Sequence, residues 1–441
     1  MANEVSNRVV DPKSQLRNAD LQHDQPDKIS DINTTQGTPP KRRSLLSYIA
    51  LAGPAFVAGA WQFGPGNLTT AVQAGSGFSY SLIWVIAVST LLMLFLVDMS
   101  VRLGIKTPVS LISSIKNSLG SIFGTLAGVG VFLICLCFSV GNAVGAGLGL
   151  NMLLGGNPIM WTVIVTLVVG AILFVKQVYQ VIEKVLIVIV ALMGIAFVVS
   201  AFMVNPEWNE AANALIPEIP EDAWLLVIAL VGTNFSVNAA FYTSYGTKEH
   251  TRTEKDYKDL LIADTIPGIL APGIMTMLVI IVAAATLGQT GGTANSLPEL
   301  ARVFEPLAGS FGSLVFSLGF FGAAFSSMLA NATAGGTMIS DALGKGHTAS
   351  SPAAKAGISI ILLFGLLIAV IFNSAPVQLI VVAQATTVFV APILALLIII
   401  MSNNKELMGR MVNKWWQNIM GIIGLFVVVV LSIRLVLTLI G

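Results

Sequence analysis

The hydrophobic positions of this chain form long unbroken stretches, without the alternation of a half-buried strand or the narrow stripe of an amphipathic surface helix. Stretches near 20 residues cross a bilayer as helices, and about 11 of them follow one another. They lie near 45–74, 80–104, 121–154, 158–175, 179–204, 222–245, 259–287, 308–338, 354–373, 377–401 and 416–440. Two are interrupted. Gly64-Pro65-Gly66-Asn67 breaks the first, and Gly232-Thr233-Asn234-Phe235-Ser236-Val237-Asn238 breaks the sixth, five spans later. Unpaired backbone survives at membrane depth only against protein or a watery cavity, so each break marks a binding region. Broken helices at matching places in two halves point to a transporter built as an inverted repeat, with its substrate at the midplane.

The pattern predicts an all-α integral membrane protein in four parts. Residues 1–43 are a polar tail without periodicity that ends in a basic stop, 44–204 form a first five-span repeat, 205–401 a second, and 402–441 a loop and the last span. Basic residues set the orientation. Lys41, Arg42, Arg43, Arg102, Lys106, Lys176, Lys184, Lys248, Arg252, Lys345, Lys405 and Arg410 fall in alternate connections, whereas the opposite connections hold Arg302 and the acidic stretch Glu207 to Asp222. The positive-inside rule then places the N-terminus in the cytoplasm and Gly441 outside, in the cell membrane.

Composition agrees with a membrane class: 55% of residues are hydrophobic and 10% charged. The net charge of +1 leaves no basic face for a nucleic acid. Cys135 and Cys137 are two apart on a helix, point in different directions and read as packing residues. His23, His250 and His347 all fall in the tail or in loops. No catalytic constellation, metal-ligand spacing or cofactor motif is present, so an enzyme is not expected.

Gly53-Pro54, Gly64-Pro65-Gly66-Asn67, Gln73-Ala74-Gly75, Phe78, Leu82-Ile83-Trp84 and Arg102-Leu103-Gly104-Ile105 together resemble the first two helices of the NRAMP divalent-metal transporters. Weaker similarity runs through Leu150-Asn151, Glu183, Gln384 and Pro392. The resemblance implies a LeuT-like fold and alternating access. It also exposes departures. The family's first-helix motif is Asp-Pro-Gly-Asn, and Gly64 stands here in place of the aspartate. Its Met-Pro-His-Asn aligns with Ser236-Val237-Asn238-Ala239, and its two acids in the third helix align with Ser139 and Asn142.

A substrate site of Gly64, Asn67, Thr233, Asn234, Ser236, Asn238 and Gln384 has only neutral dipoles. A dehydrated transition metal there lacks anionic compensation, and the N-terminal ends of the broken helices favour an anion. The sequence reading is therefore a secondary transporter of a small anion, bicarbonate or a small carboxylate. A hydrated Mg²⁺ or Mn²⁺, held through its waters, is the alternative; a non-transporting sensor or scaffold is a further one. Ser139, Asn142, Glu183, Asp264 and Asn331 are the coupling or gating residues to examine, with Na⁺ or H⁺ as the coupling ion. Asp98 is expected to pair with Arg102 within its helix.

Overall fold

A computed structural model describes residues 53–174, 192–288, 294–304, 310–372 and 376–440. Among these every regular element is helical. Seven helices are long and apolar enough to cross a membrane: Ile83–Lys106, Ser121–Leu154, Glu221–Glu249, Tyr257–Leu287, Phe311–Ala342, Pro352–Ile371 and Trp415–Thr438. Pro376–Phe389 and Ala391–Ser402 form an eighth span bent by 43°. Pro392, at the start of the second of these, cannot donate the helical bond that would carry the first one straight through. The remaining predicted spans correspond to Pro158–Phe174, to Leu192–Met203 and to the pair Pro54–Gln62 and Pro65–Phe78. We number the spans 1 to 11 in chain order and refer to the halves of broken spans 1 and 6 as first and second.

Both predicted breaks are present. Span 1 stops at Gln62 and restarts at Pro65, with Gly64 extended between them. Span 6 stops at Asn234 and restarts at Val237. The two restarts differ in chemistry, because Pro65 has no N–H to offer the gap whereas Val237 does.

Glycine brings the backbones of spans 1 and 7 together. A Cβ on Gly59 would sit 1.7 Å from the carbonyl oxygen of Gly268, and one on Gly268 would sit 2.7 Å from Ala55 backbone. Pro272 lies one turn beyond Gly268 and cannot donate to its carbonyl, so that oxygen is free to face the neighbouring helix. Just before this crossing, span 7 carries a π-turn over Leu261–Thr265. That turn aims the Asp264 carboxylate at the start of span 1.

Two acidic residues tie helix ends together on one side of the bundle. Asp98 pairs with Arg102 at 3.0 Å, as expected, and also accepts from Tyr257 and from Gln417 Nε2 at 3.1 Å. Arg102 in turn donates to the Met411 carbonyl and to Asn413 Oδ1, which seats the segment before span 11. Asp341, at the end of span 8, accepts from Ser110, Ser113 and Tyr245. Both cysteines are free, and Cys135 is buried. Lipid-facing surface is plentiful on span 11, where Ile422, Phe426, Ile433 and Leu437 are each more than half exposed.

Candidate functional site

The two breaks face each other across a small cavity. It is lined by Trp61, Gln62, Gly64, Gly66 and Asn67 of span 1, Phe138 and Asn142 of span 3, Thr233 and Ser236 of span 6, and Gln384 of span 10. Its volume is about 20 Å³, room for one water-sized occupant.

Glycines determine how Gln384 reaches the cavity. A Cβ on Gly66 would lie 2.2 Å from Gln384 Nε2, and one on Gly141 would lie 2.9 Å from the same atom. The side chain therefore threads between two bare backbones. Gly232 makes the third close approach, its missing Cβ being 2.5 Å from the Gln384 carbonyl oxygen, and the Thr387 hydroxyl beside it lies 2.7 Å from Gln384 O and 3.2 Å from Gly232 O.

Hydrogen bonding in the lining is asymmetric. Thr233 donates its hydroxyl proton to Ala229 O at 2.7 Å, and Ser236 donates to Asn238 Oδ1 at 2.7 Å. Each hydroxyl has one proton, so both are left with only lone pairs to offer the cavity. Backbone carbonyls at the breaks add further acceptors. Trp61 O accepts from Ser327 Oγ at 3.1 Å, and a carbonyl that has accepted once can accept again. By contrast the N–H groups of Phe63, Leu68, Phe235, Ala239 and Ala240 are each spent on a neighbouring carbonyl.

Several side-chain amides are left over. Gln62 Nε2, Asn67 Nδ2, Asn142 Nδ2 and Gln384 Oε1 are buried without a hydrogen-bond partner. Asn67 is engaged at its other end, Oδ1, by Thr276 of span 7 at 2.7 Å. No group of three or more His, Cys, Asp or Glu that could hold a metal occurs among the described residues.

Of the residues expected to bind substrate, Gly64, Asn67, Thr233, Ser236 and Gln384 line this cavity. Two do not. Asn234 turns away and donates Nδ2 to the hydroxyls of Ser89 and Thr90 on span 2, both at 2.8 Å, because helical rotation places it about 100° from Thr233. Asn238 sits behind Ser236 as its acceptor, with Nδ2 3.8 Å from Cys135 Sγ.

The gating candidates also separate. Asn142 lines the cavity, whereas the Ser139 hydroxyl bonds back to Leu136 O of its own helix at 2.7 Å. Asn331 donates to Cys135 O at 2.7 Å and joins spans 3 and 8. Asp264 accepts from the amides of Gly53, Ala55 and Phe56 at 2.8, 3.2 and 2.8 Å, so it caps the first half of span 1. Glu183 lies outside the described residues.

Sequence reasoning missed Trp61, Gln62, Phe138 and Thr276, and named Gly66 only as part of the break. Gln62 had a usable signal, a polar side chain two residues before the break in an otherwise apolar half-helix. Phe138 and Thr276 had none, since an aromatic and a threonine in apolar spans are ordinary packing residues.

Comparison with known proteins places this architecture. The family profile described as Natural resistance-associated macrophage protein-like matches residues 55–438. The chain belongs to the NRAMP family. Among its NRAMP relatives, a divalent metal cation transporter MntH of Caldanaerobacter subterraneus is 25% identical over 407 residues, covering 90% of this chain and 95% of the relative. One from Clostridium acetobutylicum is 27% identical over 409 residues, covering 89% and 92%. The fold is that of the Eremococcus coleocola manganese transporter, solved as a mutant: TM-score 0.72, 18% identity, 92% of this chain and 89% of that one. MhsT in complex with L-phenylalanine has a TM-score of 0.56 at 15% identity over 88% of this chain and 98% of that one. The LeuT-like architecture expected of an NRAMP chain is therefore present.

Proposed function

We propose that this NRAMP protein is a secondary transporter that carries a hard divalent metal cation, Mn²⁺ or Mg²⁺, by alternating access. The observation that supports it most is the direction of the hydroxyl bonds. Thr233 and Ser236 have given their protons to Ala229 O and Asn238 Oδ1, so they offer the cavity acceptors only. Lone pairs of oxygen suit Mg²⁺ and Mn²⁺, and no sulfur or imidazole biases the lining toward softer metals. The names of the relatives point the same way.

This reading replaces the anion expected from the sequence. That expectation weighed the positive N-terminal ends of the broken helices and not the negative C-terminal ends at Gln62 and Asn234, each equivalent to roughly half an electronic charge. It also overlooked that Pro65 removes one donor from the restart of span 1.

Uptake into proteoliposomes tests the reading. Mn²⁺ or Mg²⁺ should accumulate, and imposing Na⁺ and H⁺ gradients in turn identifies the coupling ion. Gly64→Asp should tighten Mn²⁺ binding at least tenfold, ~1.4 kcal/mol, a fraction of the ~4 kcal/mol between unit charges at 4 Å and an effective dielectric of 20. The added Cβ would meet the Ser327 hydroxyl at 2.8 Å and the Trp61 carbonyl at 3.3 Å. Bicarbonate accumulation without any cation flux would reverse the assignment. We orient the N-terminus toward the cytoplasm on the distribution of Lys and Arg.

A further inference from the structure

We propose that Thr276 is a positioning residue that turns the Asn67 amide so its oxygen faces the cavity, and thereby sets the sign of the ion the site accepts. The inference rests on the cation reading and deepens it. Thr276 Oγ1 lies 2.7 Å from Pro272 O and 2.7 Å from Asn67 Oδ1. The hydroxyl has one proton and cannot donate to both. Pro272 O can only accept, and so can an Asn67 oxygen; both contacts are made together only if the proton goes to Pro272 O and the Thr276 lone pair faces an Asn67 nitrogen. An oxygen of Asn67 at 2.7 Å from that lone pair is repelled. An amide nitrogen in the same place donates to it.

A half-turn of the terminal amide exchanges its two atoms with almost no change in the space occupied, and it resolves a second anomaly. Asn67 is 1% exposed and its Nδ2 is without a partner. After the turn, Nδ2 donates to Thr276, Thr276 donates to Pro272 O, and the atom left unengaged is an oxygen. Gln384 Oε1, also buried and unpartnered, lines the same cavity. The pair Asn67 Oδ1 and Gln384 Oε1 is then what a cation meets first. Asn142 and Gln62 have no comparable anchor, so their amides can turn either way, whereas Asn67 is held in one orientation by a residue of another span.

Thr276→Val keeps the shape and removes the hydroxyl; Thr276→Ser keeps the hydroxyl and removes a methyl. In proteoliposomes, Thr276→Val should raise the KM for Mn²⁺ about tenfold with Vmax within about twofold, and Thr276→Ser should stay within about twofold of the parent in both. Adding Thr276→Val to Asn67→Ala should change KM no further, because Thr276 acts only through Asn67. An unchanged KM in Thr276→Val, equal losses in Val and Ser, or a full extra loss on the Asn67→Ala background each overturns the proposal while leaving the cation reading in place. A parent protein that carries neither Mn²⁺ nor Mg²⁺ overturns both. If Thr276→Val does not yield folded protein, Thr276→Ala, which relieves space instead of adding strain, decides between the same outcomes.

Discussion

The carboxylate of Asp264 accepts the Gly53 amide at 2.8 Å, joining the π-turn of span 7 to the start of span 1 across 211 positions of sequence. Ala55 and Phe56 donate to the same group, so a buried negative charge sits on the positive end of a nine-residue half-helix whose other end borders the cavity. Removing the charge should loosen that half-helix. Asp264→Asn gives up charge-assisted bonds worth about 1.5–3 kcal/mol each in part, and an overall loss of about 1–3 kcal/mol multiplies the open population by about 5- to 150-fold. A thiol placed by Ala58→Cys, at a position now fully buried, should then be labelled faster in a background without native cysteines. An unaltered labelling rate would count against Asp264 as a latch.

Tyr245 and Ser110 both donate to Asp341, linking the second half of span 6 to span 8. Tyr245→Phe removes one of these bonds without changing the ring. Labelling of a thiol at Asn238 should rise in Tyr245→Phe and not in Tyr257→Phe, whose hydroxyl serves Asp98.

Gln384 reaches the cavity only because Gly66 has no side chain. Gly66→Ala puts a methyl 2.2 Å from its terminal nitrogen, a flexible atom that can retreat, so the fold should persist while the oxygen is displaced. Mn²⁺ affinity should fall at least tenfold by calorimetry with little change in melting temperature. A large drop in stability with intact affinity would contradict this.

Gly59→Ala should behave in the opposite way. Its methyl would meet a backbone carbonyl at 1.7 Å, and neither helix can yield without separating from the other. Overpacking of this kind costs typically ~1–3 kcal/mol, and a main-chain collision exceeds that range. Thermal unfolding in detergent should show a clear loss of stability and transport together; a melting temperature equal to the parent's would refute the contact.

The spans and both breaks were legible in the sequence because length, apolarity and Gly-Pro disruption act locally. The site was legible only in part. Thr233, Asn234, Ser236 and Asn238 are indistinguishable as polar residues around a break, and only packing decided that Thr233 and Ser236 face the cavity while Asn234 faces Ser89 and Thr90. Thr276 and Asp264 are read correctly only when their partners are known, and those lie 209 and 211 positions away. The proposed ion sign departs from the expected one for a related reason. Residue identity gives an inventory of hydroxyls and amides, whereas affinity depends on which protons are already committed elsewhere.

Gly59 and Gly268 meet main chain on main chain, with the ring of Pro272 the nearest side chain. Knobs and holes would give such a joint a series of notches, and moving from one to the next would require neighbours to repack. A joint with so little interlocking gives the half-helix few neighbours to repack if it swivels. What must let go for that half-helix to swivel is the tether at Asp264.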